Sequence, residues 1–215
     1  MKYRYIIWDW NGTLLNDATY CRTIMNNMLK RRRLPTMNAQ RYGEVFEFPV
    51  DQYYRRLGFD FSCETFEALG TEFILGYENN RRGLRLRPGA RSILKNLIEA
   101  GAQQFVLSAY RHDTLESLLR EKNILRYFKK VSGSDDHYAR GKIEQGRRMI
   151  KSFGMPRHST VLIGDTVHDH EVANEMGVAC LLIESGHQNR HKLEACGRRV
   201  FSNISAVRKY LMGVS

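Results

Sequence analysis

The stretch Ile6-Ile7-Trp8-Asp9-Trp10-Asn11-Gly12-Thr13 decides how the rest of the chain is read. An apolar run of β-branched and aromatic residues stops at a carboxylate, and a Gly turn and a Thr follow. A buried parallel strand has this form, because it is covered on both faces and needs no polar alternation. It would deliver Asp9 to its C-terminal edge, where open α/β sheets place their ligands. A strand entering an Asn-Gly hairpin has the same composition and makes Asp9 a turn residue. The two readings part on whether further polar or charged groups arrive at neighbouring strand ends downstream.

Beyond Thr13 the apolar spacing turns helical. Asn16 or Asp17 is placed to cap a helix running to about Arg33, in which Cys21, Ile24, Met25, Met28 and Leu29 recur near helical spacing. Leu34-Pro35-Thr36 stops it. Further helices are predicted over 38–48, 51–57 and 64–80, and nothing between 16 and 82 alternates. The block closes at Gly83-Leu84-Arg85-Leu86-Arg87-Pro88-Gly89, a strong breaker. From there helices and strands take turns. A helix over 90–100 precedes a strand over 103–107 that ends at Ser108, and a helix over 113–121 precedes a strand over 127–131 that enters Ser132-Gly133-Ser134-Asp135-Asp136. A helix over 142–153, a strand over 160–163 ending at Gly164-Asp165, a helix over 168–176 and a last strand over 178–183 complete the series. Units of this length imply an α/β fold, a doubly wound parallel sheet whose first strand is followed by an inserted all-helical block. Residues 1–15 and 86–215 form the core on this reading, and residues 16–85 the insert.

Composition bounds the function classes. At 215 residues, 42% hydrophobic and 27% charged, the chain has the make-up of a globular protein with one sizeable core. No apolar run reaches membrane-spanning length and no signal-peptide pattern opens the chain, so a cytoplasmic protein without a membrane partner is expected. Cys21, Cys63, Cys180 and Cys196 are scattered without a C-x-x-C pair, as reduced thiols are. Of the net charge of +11, residues 16–85 carry 11 Lys/Arg against 9 Asp/Glu, a net of +2, which leaves +9 on the remainder. Such an excess suits anionic small molecules, nucleic acid or simple solubility. The densest patch, Lys30-Arg31-Arg32-Arg33, reads as a solvated helix end favoured by the helix dipole. No interleaved aromatics or nucleic-acid module accompany it, so nucleic acid is not expected as a partner.

Polar groups do arrive at later strand ends. Ser108 follows Phe105-Val106-Leu107, Lys142 opens a helix, and Asp165 and Asp169 follow Val161-Leu162-Ile163. Singly, each has a plain role as a strand-end residue, a surface lysine or a helix-start carboxylate. In this order they resemble the haloacid dehalogenase superfamily of phosphotransferases and phosphohydrolases, in particular the phosphoglycolate phosphatase branch with its helical cap. The pairing of Asp9-Trp10-Asn11-Gly12-Thr13 with Gly164-Asp165-Thr166-Val167-His168-Asp169 is the specific part, and the likeness spans essentially the whole chain. It implies a Mg²⁺-dependent phosphohydrolase acting on a small phosphorylated metabolite, with Asp9 as nucleophile and an aspartyl-phosphate intermediate. Asp9, the backbone carbonyl of Asn11, Asp165 and, in the outer shell, Asp169 are the implied metal set. Ser108, Lys142 and the turn at Gly12 and Thr13 are the implied phosphate grip. A carboxylate approaching a phosphate dianion needs a hard cation between them, and Mg²⁺ accepts such oxygen ligands. Zinc is not expected: His168 and His170 are two apart and diverge on a helix. Asp135, in a turn that looks like the family's Ser-Asp-Asp, is read either as a turn residue or as lying at the edge of the metal shell. Arg55, Arg56 and Tyr53 in the insert and Arg111 after Ser108 are candidate substrate contacts, and a monomer is the favoured expectation. Ala109 stands where the family usually has Asn.

The chain departs from the family at Asn11, where most of its phosphatases carry a second Asp that protonates the leaving oxygen. An amide can hydrogen-bond that oxygen but cannot deliver a proton to it. General acid–base catalysis is worth about 10²–10⁴-fold, so the exchange bears on turnover. The alternative it opens is a catalytically weak or inactive phosphate-binding or interaction protein of the same fold.

Overall fold

The computed structural model describes residues 1–134 and 141–213; Asp135 and Asp136 lie outside them. Tyr5–Trp8 forms β1, and both of its neighbours in the sheet run parallel to it, which excludes the hairpin reading. Four helices follow: α1 (Ala18–Arg31), α2 (Ala39–Val45), α3 (Val50–Arg56) and α4 (Phe66–Glu78). The chain then alternates through α5 (Ala90–Glu99), β2 (Gln103–Arg111), α6 (His112–Glu121), β3 (Lys130–Ser134) and α7 (Lys142–Ser152). It closes with β4 (Thr160–Gly164), α8 (Val167–Met176), β5 (Ala179–Ile183), α9 (Arg190–Glu194), β6 (Arg199–Phe201) and α10 (Ile204–Met212). The six strands are parallel and ordered β3-β2-β1-β4-β5-β6. The winding therefore reverses between β1 and β4, and the crevice outside their C-terminal ends is where such a sheet binds ligands.

Two-residue periodicity divides the core between the two faces of the sheet. Ile6 and Trp8 point to one face, with Val106, Ile163, Leu94 of α5, Leu118 of α6 and Val207 of α10. Ile7, Phe105, Leu107 and Leu162 point to the other, with Met149 of α7, Val172 and Met176 of α8 and Leu193 of α9. Ile6, Ile7 and Trp8 are all fully buried, and burying each isoleucine is worth about 1.5–3 kcal/mol. Gln104, a polar residue fully buried in this region, is satisfied: it accepts from Trp8 Nε1 at 3.0 Å and donates to Leu94 O at 2.8 Å.

The chain leaves the sheet layer after Leu15 and returns at Leu86, and the two crossings are tied together. Asn16 N donates to Arg85 O and Arg87 N to Leu14 O, both at 2.9 Å, around an antiparallel bridge between Leu15 and Leu86. At the far end of α1 two residues of the basic run are paired with carboxylates. Arg32 spans Glu64 (2.5 Å) and Glu72 (2.6 Å), Arg31 joins Glu72, and α1 is thereby clamped to α4.

Four sequence expectations need correction. The strand expected to end at Ser108 runs on to Arg111, because the ladder slips between Leu107 and Arg111 before pairing resumes at Ser134. The strand expected over 127–131 begins at Lys130; Tyr127 N bonds back to Ile124 O at 3.0 Å in a 3-10 turn, so its β-prone aromatics pack from a turn. Residues 178–183 are not the last strand, since β6 follows as a three-residue edge too short to carry a periodic signal. Asp17 occupies the N-cap position of α1 but makes no side-chain cap bond, because its carboxylate is engaged elsewhere.

Candidate active site

Asp9 stands immediately after β1, and its backbone N–H donates to Ile163 O of β4 at 2.9 Å, which fixes it against the neighbouring strand end. Lys142, at the start of α7, reaches across to it. Its buried Nζ donates to Asp9 Oδ1 at 2.7 Å and to Asp169 Oδ1 at 2.6 Å. Asp169 in turn closes a capping box at the start of α8: its Oδ2 accepts from Asp165 N (3.1 Å), Thr166 N (3.0 Å) and Thr166 Oγ1 (2.7 Å). Asp165 follows β4 and accepts from Thr13 Oγ1 at 2.7 Å and from His187 N at 2.6 Å. Glycines make this density possible. A Cβ on Gly164 would overlap the Asp169 carboxyl, and one on Gly186 the Asp165 carboxyl.

Asp9, Asp165 and Asp169 are buried, and one oxygen of each lies within 4.8 Å of the others. The electrostatic consequences are unequal. Burial pushes Asp9 up to about 7 against the pull of Lys142, with the Asp169 and Asp165 charges adding to the rise. Burial also raises Asp165. For Asp169 burial is outweighed by the charge and hydrogen bond of Lys142, which hold it below the ordinary carboxylate value. Lys142 stays protonated because the two carboxylates overcome its desolvation. Three carboxylates against one ammonium leave an excess of negative charge that a divalent cation would balance. An all-oxygen donor set of this kind fits Mg²⁺.

A second buried cluster adjoins the first through the turn after Asp9. Asp17 Oδ1 accepts from Gly12 N at 2.7 Å, and its Oδ2 accepts from Asn11 Nδ2 at 2.7 Å and Tyr77 OH at 2.8 Å. The ring of His187, from the loop after β5, lies 3.5 Å from Asp17 through Nε2 and bonds Tyr42 OH through Nδ1 at 2.7 Å. Burial works against both charges. His187, Asn11 and Tyr77 nevertheless hold Asp17 below its usual value, and Asp17, with the charges of Asp165 and Asp9, holds His187 above its own. The Asn11 amide is oriented by this cluster. A carboxylate only accepts, so Nδ2 must face Asp17, and its other hydrogen goes to Tyr77 OH at 2.9 Å. Both amide hydrogens are committed. Asn11 offers the cavity its Oδ1, an acceptor, and not the donor expected from its sequence.

The strand ends open into a cavity of about 280 Å³ between the sheet and the inserted helices, with Asp9, Asn11, Ser108, Lys142 and Asp169 on its wall. Ser108 Oγ accepts from Tyr110 N at 3.1 Å, taking up a donor that the slipped ladder leaves over. Gly12 adopts φ +74°, and a Cβ there would strike Asp165 and His187. Tyr53 lines the cavity, as does Ala109. Arg55 and Arg111 do not: Arg55 is exposed and lies over the Phe61 ring at 4.3 Å, and Arg111 is exposed beside Asp113 at 3.9 Å. Arg56 is likewise turned outward to Glu47 at 2.6 Å. For Arg55 and Arg56 the cause is that α3 packs its tyrosines inward and so presents its arginines to solvent; Arg111 ends β2 beyond the slip in the ladder. His168 and His170 diverge as expected, toward Glu171 and Asn174 respectively. Sequence reasoning missed Asp17, Tyr77, His187 and Arg87, whose Nε donates to Gly12 O at 2.5 Å. The signal available for His187 was its place in Gly186-His187-Gln188, the loop immediately beyond a buried strand.

Comparison with known proteins fits this arrangement. The sequence pattern described as haloacid dehalogenase-like hydrolase matches residues 6–183. A 5'-nucleotidase from Pseudomonas aeruginosa is 26% identical over 91% of this chain and 89% of its own length. A phosphoglycolate phosphatase from Rhodobacter capsulatus is 22% identical over 85% of each. Among solved structures, a haloacid dehalogenase-like hydrolase from Streptococcus pneumoniae superposes with a TM-score of 0.81 at 17% identity, covering 98% of this chain and 99% of that one. From the strand-end carboxylates to the inserted helices, the chain belongs to the haloacid dehalogenase-like hydrolase family.

Proposed function

We propose that the chain is a Mg²⁺-dependent phosphomonoesterase that works through an aspartyl-phosphate on Asp9. The observation that carries this reading is the Asp9 carboxylate, held by Lys142 on the wall of a cavity and beside two further buried carboxylates. The names of the relatives support it, although they divide between a nucleotide and phosphoglycolate as substrate. In the first step an Asp9 oxygen attacks phosphorus in line and the bond to the alcohol oxygen breaks. In the second, water attacks phosphorus and the Asp9 carboxylate departs, releasing inorganic phosphate. Lys142 fixes Asp9 and screens the phosphoryl oxygens, and Ser108 Oγ receives one of them; the Gly12 N–H, expected in that grip, is instead committed to Asp17 Oδ1 at 2.7 Å. Asp9, Asp165 and the Asn11 carbonyl, with Asp169 behind them, would hold Mg²⁺, which when bound screens the repulsion between carboxylate and phosphate. Residues 16–85 act as a cap that excludes water during transfer. Asn11 accepts hydrogen bonds and supplies no proton, so the leaving oxygen takes its proton from water.

Para-nitrophenyl phosphate and a panel of alkyl and aryl esters, assayed with Mg²⁺ and with EDTA, test this directly. Turnover should require the metal and fall by about 10⁴-fold or more in Asp9→Asn. Phosphate affinity without turnover of any ester would replace the enzyme with a phosphate-binding protein.

A further inference from the structure

The cap side of the cavity is aromatic. Phe46, Phe48, Tyr53, Phe66, Phe73 and Tyr110 contribute to its wall, most of them half-buried and so presenting ring surface to the space. Among the described residues, Lys142 is the single lysine or arginine on that wall; it is already committed to Asp9 and Asp169, and His187, which also lines the cavity, is committed to Asp17 and Tyr42. The ionised groups of the upper wall are acidic. Asp51 is half-buried there, and Glu78 accepts from Tyr110 OH at 2.5 Å while pairing with Arg81 at 2.7 Å. A substrate with a second anion in its alcohol portion would bury that charge against these carboxylates, with Lys142 and His187 already paired to carboxylates of their own.

The same wall contains polar groups in want of partners. Tyr53 OH and His168 Nε2 are buried and make no hydrogen bond to the protein. His168 Nδ1 lies 3.2 Å from Glu171, which places a ring proton on Nδ1 and leaves Nε2 without a partner in the protein. Tyr53 OH is free to donate. An apolar pocket with a few polar atoms is the usual form of a small-molecule site, and about 280 Å³ sits near the lower end of the range of roughly 300–1,000 Å³.

We infer that the alcohol portion of the substrate is uncharged and ring-bearing, seated among the cap aromatics with its polar edge toward Tyr53 and His168. This rests on the phosphomonoesterase reading for the phosphate end and adds the chemistry of the other end. It disfavours 2-phosphoglycolate, whose carboxylate finds no uncommitted cation on that wall, and favours aryl or nucleoside monophosphates, whose rings stack on Phe and Tyr.

The test separates the two ideas by measuring binding apart from turnover. Phenylphosphonate and phosphonoacetate, neither of them hydrolysable by this route, are titrated calorimetrically into the full Mg²⁺-loaded chain. Phenylphosphonate should bind at least about tenfold more tightly, and Phe73→Ala should narrow that ratio by about tenfold. Tighter binding of phosphonoacetate overturns the inference, as does a ratio unmoved by both Phe73→Ala and Tyr53→Phe. Hydrolysis of phenyl phosphate and a nucleoside 5'-monophosphate against 2-phosphoglycolate is then compared through kcat/KM, with the ring-bearing esters expected to lead. Failure to hydrolyse any ester counts against the functional reading alone, because the binding ratio is measured without it.

Discussion

Asn11 shows how one side chain takes its role from a neighbour distant in function but close in sequence. Its amide is held with Nδ2 toward Asp17 Oδ2 at 2.7 Å, so Asn11→Asp would press two carboxylates together in a buried place. That variant should lose stability by about 1–3 kcal/mol in denaturant unfolding. The exchange Asn11→Asp/Asp17→Asn restores a donor–acceptor pair, and the double-mutant cycle should show a coupling of about 0.5–3 kcal/mol. It also sets an ionisable acid on the cavity wall. For alkyl esters, whose leaving groups need protonation, kcat should rise by about tenfold or more over Asp17→Asn. An unchanged kcat would show that a missing acid does not limit the chemistry.

At the scale of elements, the site is built from the starts of helices that follow strands. The Thr166–Asp169 capping box does two jobs, since Asp169 satisfies the first donors of α8 through Oδ2 and holds Lys142 through Oδ1. The two functions can be separated by substitution. Thr166→Val removes the hydroxyl cap and should cost about 1 kcal/mol. Gly164→Ala drives a methyl into the Asp169 carboxyl and so disturbs a buried ion pair, for which a loss of about 3–5 kcal/mol is the expected scale. Thermal melts should rank the two in that order, with Gly164→Ala also losing activity. The loop beyond β5 links sheet and insert in the same economical way: Gln188 Nε2 donates to Phe46 O at 2.8 Å, and its Oε1 accepts from Val167 N at 2.7 Å.

For the whole molecule, burying this much charge makes the metal-free protein sensitive to pH in a definite direction. Asp9 and Asp165 keep protons in the folded state that the unfolded chain gives up above about 3.8, so their burial costs stability as pH rises, for Asp9 up to about 7. His187 holds its proton beyond the unfolded value of 6.5, and the stabilisation it contributes below that value is lost as pH climbs through its raised pKa. Asp17 and Asp169 are depressed, so their contributions are complete above 3.8 and are lost only as pH falls below it. Within the buried site every contribution that changes above pH 4 therefore acts in one direction, whereas His170, held below its ordinary value by burial and the Arg198 charge, acts the other way from outside it. In EDTA the melting temperature should decline from about pH 5 to pH 8, and Asp9→Asn should flatten part of that decline. Added Mg²⁺ should raise the melting temperature most at the alkaline end, where the carboxylates are ionised. A pH-independent melt in EDTA would contradict this assignment.

The sequence by itself determined the parallel sheet, the helical insert, the strand-end residues Asp9, Ser108 and Asp165, and Lys142 at a helix start. Local signals suffice for these: a buried parallel strand is written as a continuous apolar run, and a polar residue at its end is visible beside it. The same signals could not limit β2 at Arg111 or find β6, because a register slip and a three-residue edge leave no periodic trace. Only the tertiary structure decided that Asp17 orients Asn11 when it looked like a helix cap, that Arg55 and Arg111 face away from the cavity, and that His187 closes the site from a loop far along the chain. Those roles depend on which groups share a small buried volume, where an unpaired charge or donor is costly and a partner is taken from whichever element comes near.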